Sequence, residues 1–67
     1  MKKQIVLITR TGETLCGAPY EVDINDPKMF DYENSPTYQD FNELDILTAA
    51  HNLNWVNVER WYVKEVD

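Results

Sequence analysis

The first apolar run, Ile5 to Ile8, lies in KKQIVLIT, a stretch rich in β-branched residues that reads as a strand. RTGE follows it, and Gly12 supplies the residue tolerant of positive φ that a tight hairpin turn needs. A second short strand is expected through ETLCG. Gly17, Ala18 and Pro19 then interrupt pairing, after which YEVDI alternates Tyr20, Val22 and Ile24 against Glu21 and Asp23, the pattern of a strand with one wet face.

The clearest helical period is DFNELDILTAAHNL. At about 100° per residue, Leu44, Ile46, Leu47, Ala50 and Leu53 fall on one arc, with Asn42, Asp45, Thr48 and Asn52 opposite. Asp40 and Glu43 have capping-box spacing, which predicts a helix starting at Asp40. WVNVERWYVKEV closes the chain as a strand, and its alternation changes phase between Val58 and Trp61, so a bulge near Glu59 and Arg60 is expected. Residues 25–39 read as a long acidic and aromatic loop. NDPKMF within it suits a single helical turn, because Asp26 can cap and Pro27 fits a first helical position. Met29, Phe30, Tyr32 and Tyr38 give this loop more apolar area than a plain linker carries.

These elements predict one α+β domain over residues 1–67: a small antiparallel or mixed sheet of about four strands, in β-β-β-α-β order, with one amphipathic helix on one face. The last crossover is right-handed if the final strand runs parallel to the one before the helix. IVLI and WYV carry apolar groups on both faces of their strands, whereas one helix covers one face. A second cover is therefore expected from the 25–39 loop, a second copy or another partner. One of Trp55 and Trp61 is expected in the core.

Size sharpens that expectation. A 67-residue chain buries only about 60% of the surface its unfolded form exposes. Cys16 is the only cysteine, so association takes the place of an internal disulfide. A lone cysteine and a short apolar run after the opening lysines point to a cytoplasmic protein without signal peptide or membrane span.

Candidate chemistry is sparse. Ser35 precedes Pro36 and suits a helix or turn cap; Cys16 has no basic neighbour to lower its pKa and reads as a small buried residue. His51 falls in the last helical turn, where the macrodipole favours its cation. DINDPKMFDYEN departs from a calcium loop at Pro27, at Lys28 in place of glycine and at Asn34 in place of glutamate. No catalytic residue, metal or cofactor is therefore expected.

Charge is the strongest remaining signal. The chain carries a net −6, yet residues 20–45 alone hold eight carboxylates and one lysine, a net −7. Without clustered Lys or Arg, direct binding to nucleic acid is disfavoured, and the expected partner is a basic protein, such as one that itself binds nucleic acid. Carboxylates of Asp23, Asp26, Asp31, Glu33, Asp40, Glu43 and Asp45 would stand in for phosphates, with Tyr20, Tyr32 and Tyr38 supplying contact area. Phage-encoded inhibitors of host defence, anti-CRISPR and anti-restriction proteins among them, are similar in size and acidity, with no shared motif. The alternative is a homodimeric structural or regulatory subunit whose acids serve only solubility.

Overall fold

The computed structural model describes residues 2–22 and 37–66. Its centre is strand β1 (Lys2–Thr9), which pairs antiparallel along its whole length with β4 (Val58–Val66). Strands β2 (Thr14–Cys16) and β3 (Tyr20–Glu21) take the other side of β1, also antiparallel. The four-stranded sheet is thus antiparallel throughout, in β-β-β-α-β order with helix α1 (Tyr38–Ala50). β3 and β4 run in the same direction with β1 between them, and α1 lies in the crossover that joins them.

The register shows why the β2–β3 edge is broken. Cys16 sits opposite Val6 and Tyr20 opposite Lys3, so Gly17, Ala18 and Pro19 face only Gln4 and Ile5. β2 and β3 are two pieces of one edge strand separated by a bulge. The Gly17 N–H donates to the Ile5 carbonyl at 2.9 Å, and Gln4 Nε2 donates to the Gly17 carbonyl at 2.7 Å, so the break is satisfied by hydrogen bonds. The expected bulge in the last strand is present too: Ile8 faces Arg60 but Thr9 faces Val58, leaving Glu59 as the extra residue. Residues Trp55–Asn57 form a 3-10 turn, so β4 begins at Val58 and not at Trp55.

The β1–β2 turn has a three-residue loop. Gly12 N–H donates to the Thr9 carbonyl at 3.0 Å, Thr9 N–H donates to the Glu13 carbonyl at 2.9 Å, and Gly12 has φ +91°. A turn closed by a residue at positive φ is one of the common solutions for a loop of this length. Arg10 ties it to the far end of the chain: its backbone N–H donates to the Asn57 carbonyl and its Nε to the Val56 carbonyl, at 2.9 and 2.6 Å.

Helix α1 starts three residues earlier than its spacing pattern predicts. Thr37 is the N-cap and Asp40 the third residue, each side chain accepting from the other's backbone N–H, so the capping box is Thr37–Asp40 and not Asp40–Glu43. Residues 37–39 therefore belong to the helix start, while the rest of the expected 25–39 loop, with its NDPKMF turn and Ser35, lies outside the described residues. The C-terminus closes with Asn52 at φ +50°. Asn52 N–H donates to Ala49 O at 3.1 Å and Leu53 N–H to Thr48 O at 2.9 Å, the paired bonds of a Schellman motif.

The helix phase also differs. Its buried residues are Asp40, Leu44, Leu47 and Thr48, whereas Ile46 is 62% exposed and Ala50 is exposed as well. Thr48 tolerates the interior because its hydroxyl donates to the Asp45 carbonyl at 3.0 Å. The core lies between helix and sheet: Ile5, Leu7, Tyr20, Val22, Leu44, Leu47 and Val58 are buried, and Leu53, Trp61 and Val63 pack against them. Trp61 is partly buried and packs against the core without being enclosed by it, and Trp55 is exposed. Leu15 points to the helix side, so Cys16 points away from it and is exposed, contrary to the buried position expected for it. No helix among the described residues is long and apolar enough to cross a membrane.

Gly12 provides a clean test of the turn. A Cβ there would meet nothing within 4 Å, so Gly12→Ala costs only the backbone strain of positive φ. The expected loss is about 1 kcal/mol in a denaturant melt, and an unchanged midpoint would rule out this turn geometry.

Candidate protein-binding surface

The sequence groups Asp40 and Tyr20 with an acidic and aromatic contact surface. Both are interior residues: Asp40 is 1% exposed, and the Tyr20 hydroxyl donates to its Oδ1 at 2.5 Å. Thr37 N–H donates to Asp40 Oδ2 at 2.9 Å, and the Lys3 ammonium lies 3.9 Å from the same oxygen, itself buried. Cross-strand pairing brings this about, because Lys3 and Tyr20 are directly opposite on the helix side of the sheet. The carboxylate faces three donors from three elements, at a helix N-terminus whose dipole favours negative charge. The arrangement holds the helix on the sheet and takes both side chains out of the exposed surface expected for them.

The phenol responds to that setting. Burial pushes the Tyr20 pKa up well beyond the usual tyrosine range, and the hydrogen bond to Asp40 together with the charges of Asp40 and Glu43 push it further the same way. Tyr20 is a fixed donor throughout the working pH range.

Of the other expected contact residues, Tyr38 is 82% exposed, Asp45 is exposed and Glu43 is partly so. Asp23, Asp26, Asp31, Glu33 and Tyr32 lie outside the described residues. Two further aromatic residues join this side. Phe41, 49% exposed, meets Trp61 edge to face with ring centroids 5.5 Å apart, and Tyr38 precedes Phe41 by three residues on the same helix flank. Phe41 escapes the sequence pattern because an exposed aromatic next to a helix start looks the same, in one dimension, as a core residue.

Charge is sorted by face. Ile5 and Leu7 face the helix, so Lys2, Arg60 and Lys64, which alternate with the core positions on β1 and β4, face away from it. All three are exposed, with Glu21 opposite Lys2, and the Arg60 guanidinium lies 5.7 Å from the centre of the Tyr62 ring. The helix side carries Glu43, Asp45 and Glu65, and its lysine, Lys3, is consumed by Asp40. Arg10 and Glu59 pair at 3.3 Å at the hairpin end, where both are exposed and their net effect is small.

A cavity of about 330 Å³ lies at that same end, between the turn and the helix C-terminus, with Arg10, Glu13, His51 and Asn57 at its rim. Its guanidinium is already engaged with Val56 and Glu59. His51 is the helix C-cap, one residue past the last turn expected for it. Among the described residues no group of three His, Cys, Asp or Glu side chains could hold a metal ion. Comparison with protein-family models, with curated proteins and with solved structures found no match for the chain.

Tyr20→Phe leaves a buried carboxylate oxygen without its donor and is expected to cost about 1–3 kcal/mol at neutral pH. The pH dependence has a definite sign. An unfolded tyrosine ionises near pH 10, while the folded phenol keeps its proton, so this stabilisation is complete below about pH 10 and declines as pH rises above it. Urea melts of both proteins across this range test the point: the gap between wild type and Tyr20→Phe should narrow above about pH 10, and a constant gap would contradict the buried Tyr20–Asp40 pair.

Proposed function

We propose that the protein is a small binding module that occupies a basic surface of another protein, one that otherwise receives nucleic acid. The observation that supports this reading is the sorting of charge: Glu43, Asp45 and Glu65 share the helix side with exposed Tyr38 and Phe41, while Lys2, Arg60 and Lys64 are on the opposite face. An acidic face backed by a basic one orients the molecule as it approaches a positive partner, and orientation raises the productive encounter rate. Aromatic groups that lose water at the contact then govern how long it lasts. The acid-rich segment preceding α1, including Asp23, Asp26, Asp31 and Glu33, adds to the same sign of charge.

The experiment is capture of nucleic-acid-binding proteins from lysate on immobilised protein, at low and high salt, with duplex DNA as competitor. Capture should fall as salt rises and DNA should displace the captured protein. With that protein purified, Asp45→Asn should slow association and flatten its salt dependence, whereas Tyr38→Ala should mainly speed dissociation, costing more than about 1 kcal/mol. Capture that neither salt nor DNA affects would overturn the proposal.

A further inference from the structure

The two edges of the sheet are built differently. The β2–β3 edge is interrupted at Gly17 and carries Pro19, which has no N–H to donate. β4 runs for nine residues without proline or glycine, and among the described residues it pairs only with β1. Apolar surface flanks its outer edge on both faces: the Phe41–Trp61 pair on the helix side, and Tyr62, 43% exposed, on the other.

We propose that the outer edge of β4 pairs antiparallel with the same edge of a second copy, in the register that sets Val63 opposite Val63 of that copy. A two-fold axis perpendicular to the sheet places both helices on one side, so helix-side residues must meet helix-side residues. The centre is therefore a residue paired with itself, and the charges on β4 choose among the candidates. Centred on Tyr62, the ladder sets Arg60 against Lys64 and Glu59 against Glu65, each twice, which opposes like charges directly. Centred on Trp61, it runs into the Glu59 bulge. Centred on Val63, it uses Arg60 to Val66 of each strand, all beyond the bulge, and opposes no like charges. Tyr62 then faces Lys64, placing an ammonium beside a ring that already has Arg60 on its own strand. Trp61 faces Glu65, and Arg60 faces Val66.

The geometry leaves room for both helices. Three strand spacings separate the two β1 strands, about 14 Å in all, and α1 packs over β1. Helices pack as close as about 8–10 Å, so the two are clear of each other, and the groove between them is lined by Phe41 and Trp61 of both copies. A seven-residue ladder is at the small end of specific interfaces, so the dimer is concentration-dependent. Its salt response has the opposite sign to that of binding a basic partner: the acidic helices of two copies share one side and repel, so salt strengthens the pair. The two proposals can thus fail independently.

Sedimentation equilibrium across concentration and salt tests the association, and cysteine cross-linking tests the register. In a Cys16→Ser background, Trp61→Cys, Tyr62→Cys and Val63→Cys are oxidised mildly and compared. The expected results are a monomer that becomes a dimer with concentration and more so with salt, and cross-linking fastest at Val63→Cys. Lys64→Glu, at an exposed position, should weaken the dimer roughly tenfold through two lost ring contacts with an unchanged circular dichroism spectrum. A monomer at every concentration, cross-linking fastest at position 61 or 62, or a Lys64→Glu dimer of undiminished strength would overturn the proposal.

Discussion

A carboxylate placed inside a thin core is the constraint on which this structure turns. Isolated there, Asp40 would be very costly to desolvate. Its donors come from β1, β3 and the helix cap, so the cost is offset only when all three elements are assembled together. The same interaction sets the rotation of the helix. With Asp40 inward, Leu44, Leu47 and Thr48 follow it into the core, Phe41 is carried to the β4 side, and Glu43 and Ile46 to the β2–β3 side. The chemistry of the outer surface is thus a consequence of one polar contact in the interior.

Lys3 links that interior to the electrostatics outside. Strand alternation would otherwise put a lysine on the acidic side of the molecule, and its engagement with Asp40 removes it from the surface. The remaining cations of β1 and β4 alternate to the opposite face. A two-layer fold with separated charge follows from the period of a strand, without a dedicated acidic element. This separation links the fold to the proposed mode of recognition, since a molecule so charged approaches a basic surface helix-first.

Features encoded locally are legible in the sequence, and those decided by distant contacts are not. The run of β1 shows in its β-branched residues, the first turn in Gly12, and the β4 bulge in a phase change over four residues. The helix start is ambiguous because Thr37–Asp40 and Asp40–Glu43 have the same spacing, and only the neighbouring Tyr20 and Lys3 decide between them. Hydropathy favours Ile46 over Thr48 for the interior, yet the phase imposed by Asp40 reverses the two. The exposure of Cys16 departs from expectation for a related reason: on so short an edge strand, its facing is set by where Leu15 finds the core. Of the residues the sequence offers for a contact surface, Tyr38 is exposed while Tyr20 and Asp40 are taken into the core, and Phe41, which the sequence does not single out, is exposed beside Trp61.

The break at Gly17 to Pro19 also bears on how far strands can accumulate. Open sheets with two pairing-competent edges can add chains indefinitely, which is the route to fibres. Here one border lacks both a continuous ladder and a donor at Pro19, and the other is β4, regular from Arg60 to Val66 beyond its bulge at Glu59. In the pairing proposed for β4, one receptive border closes on its own copy and leaves nothing to extend. High concentration should therefore enrich a finite species and not a polymer, a useful property for a domain whose central strand is apolar on both faces.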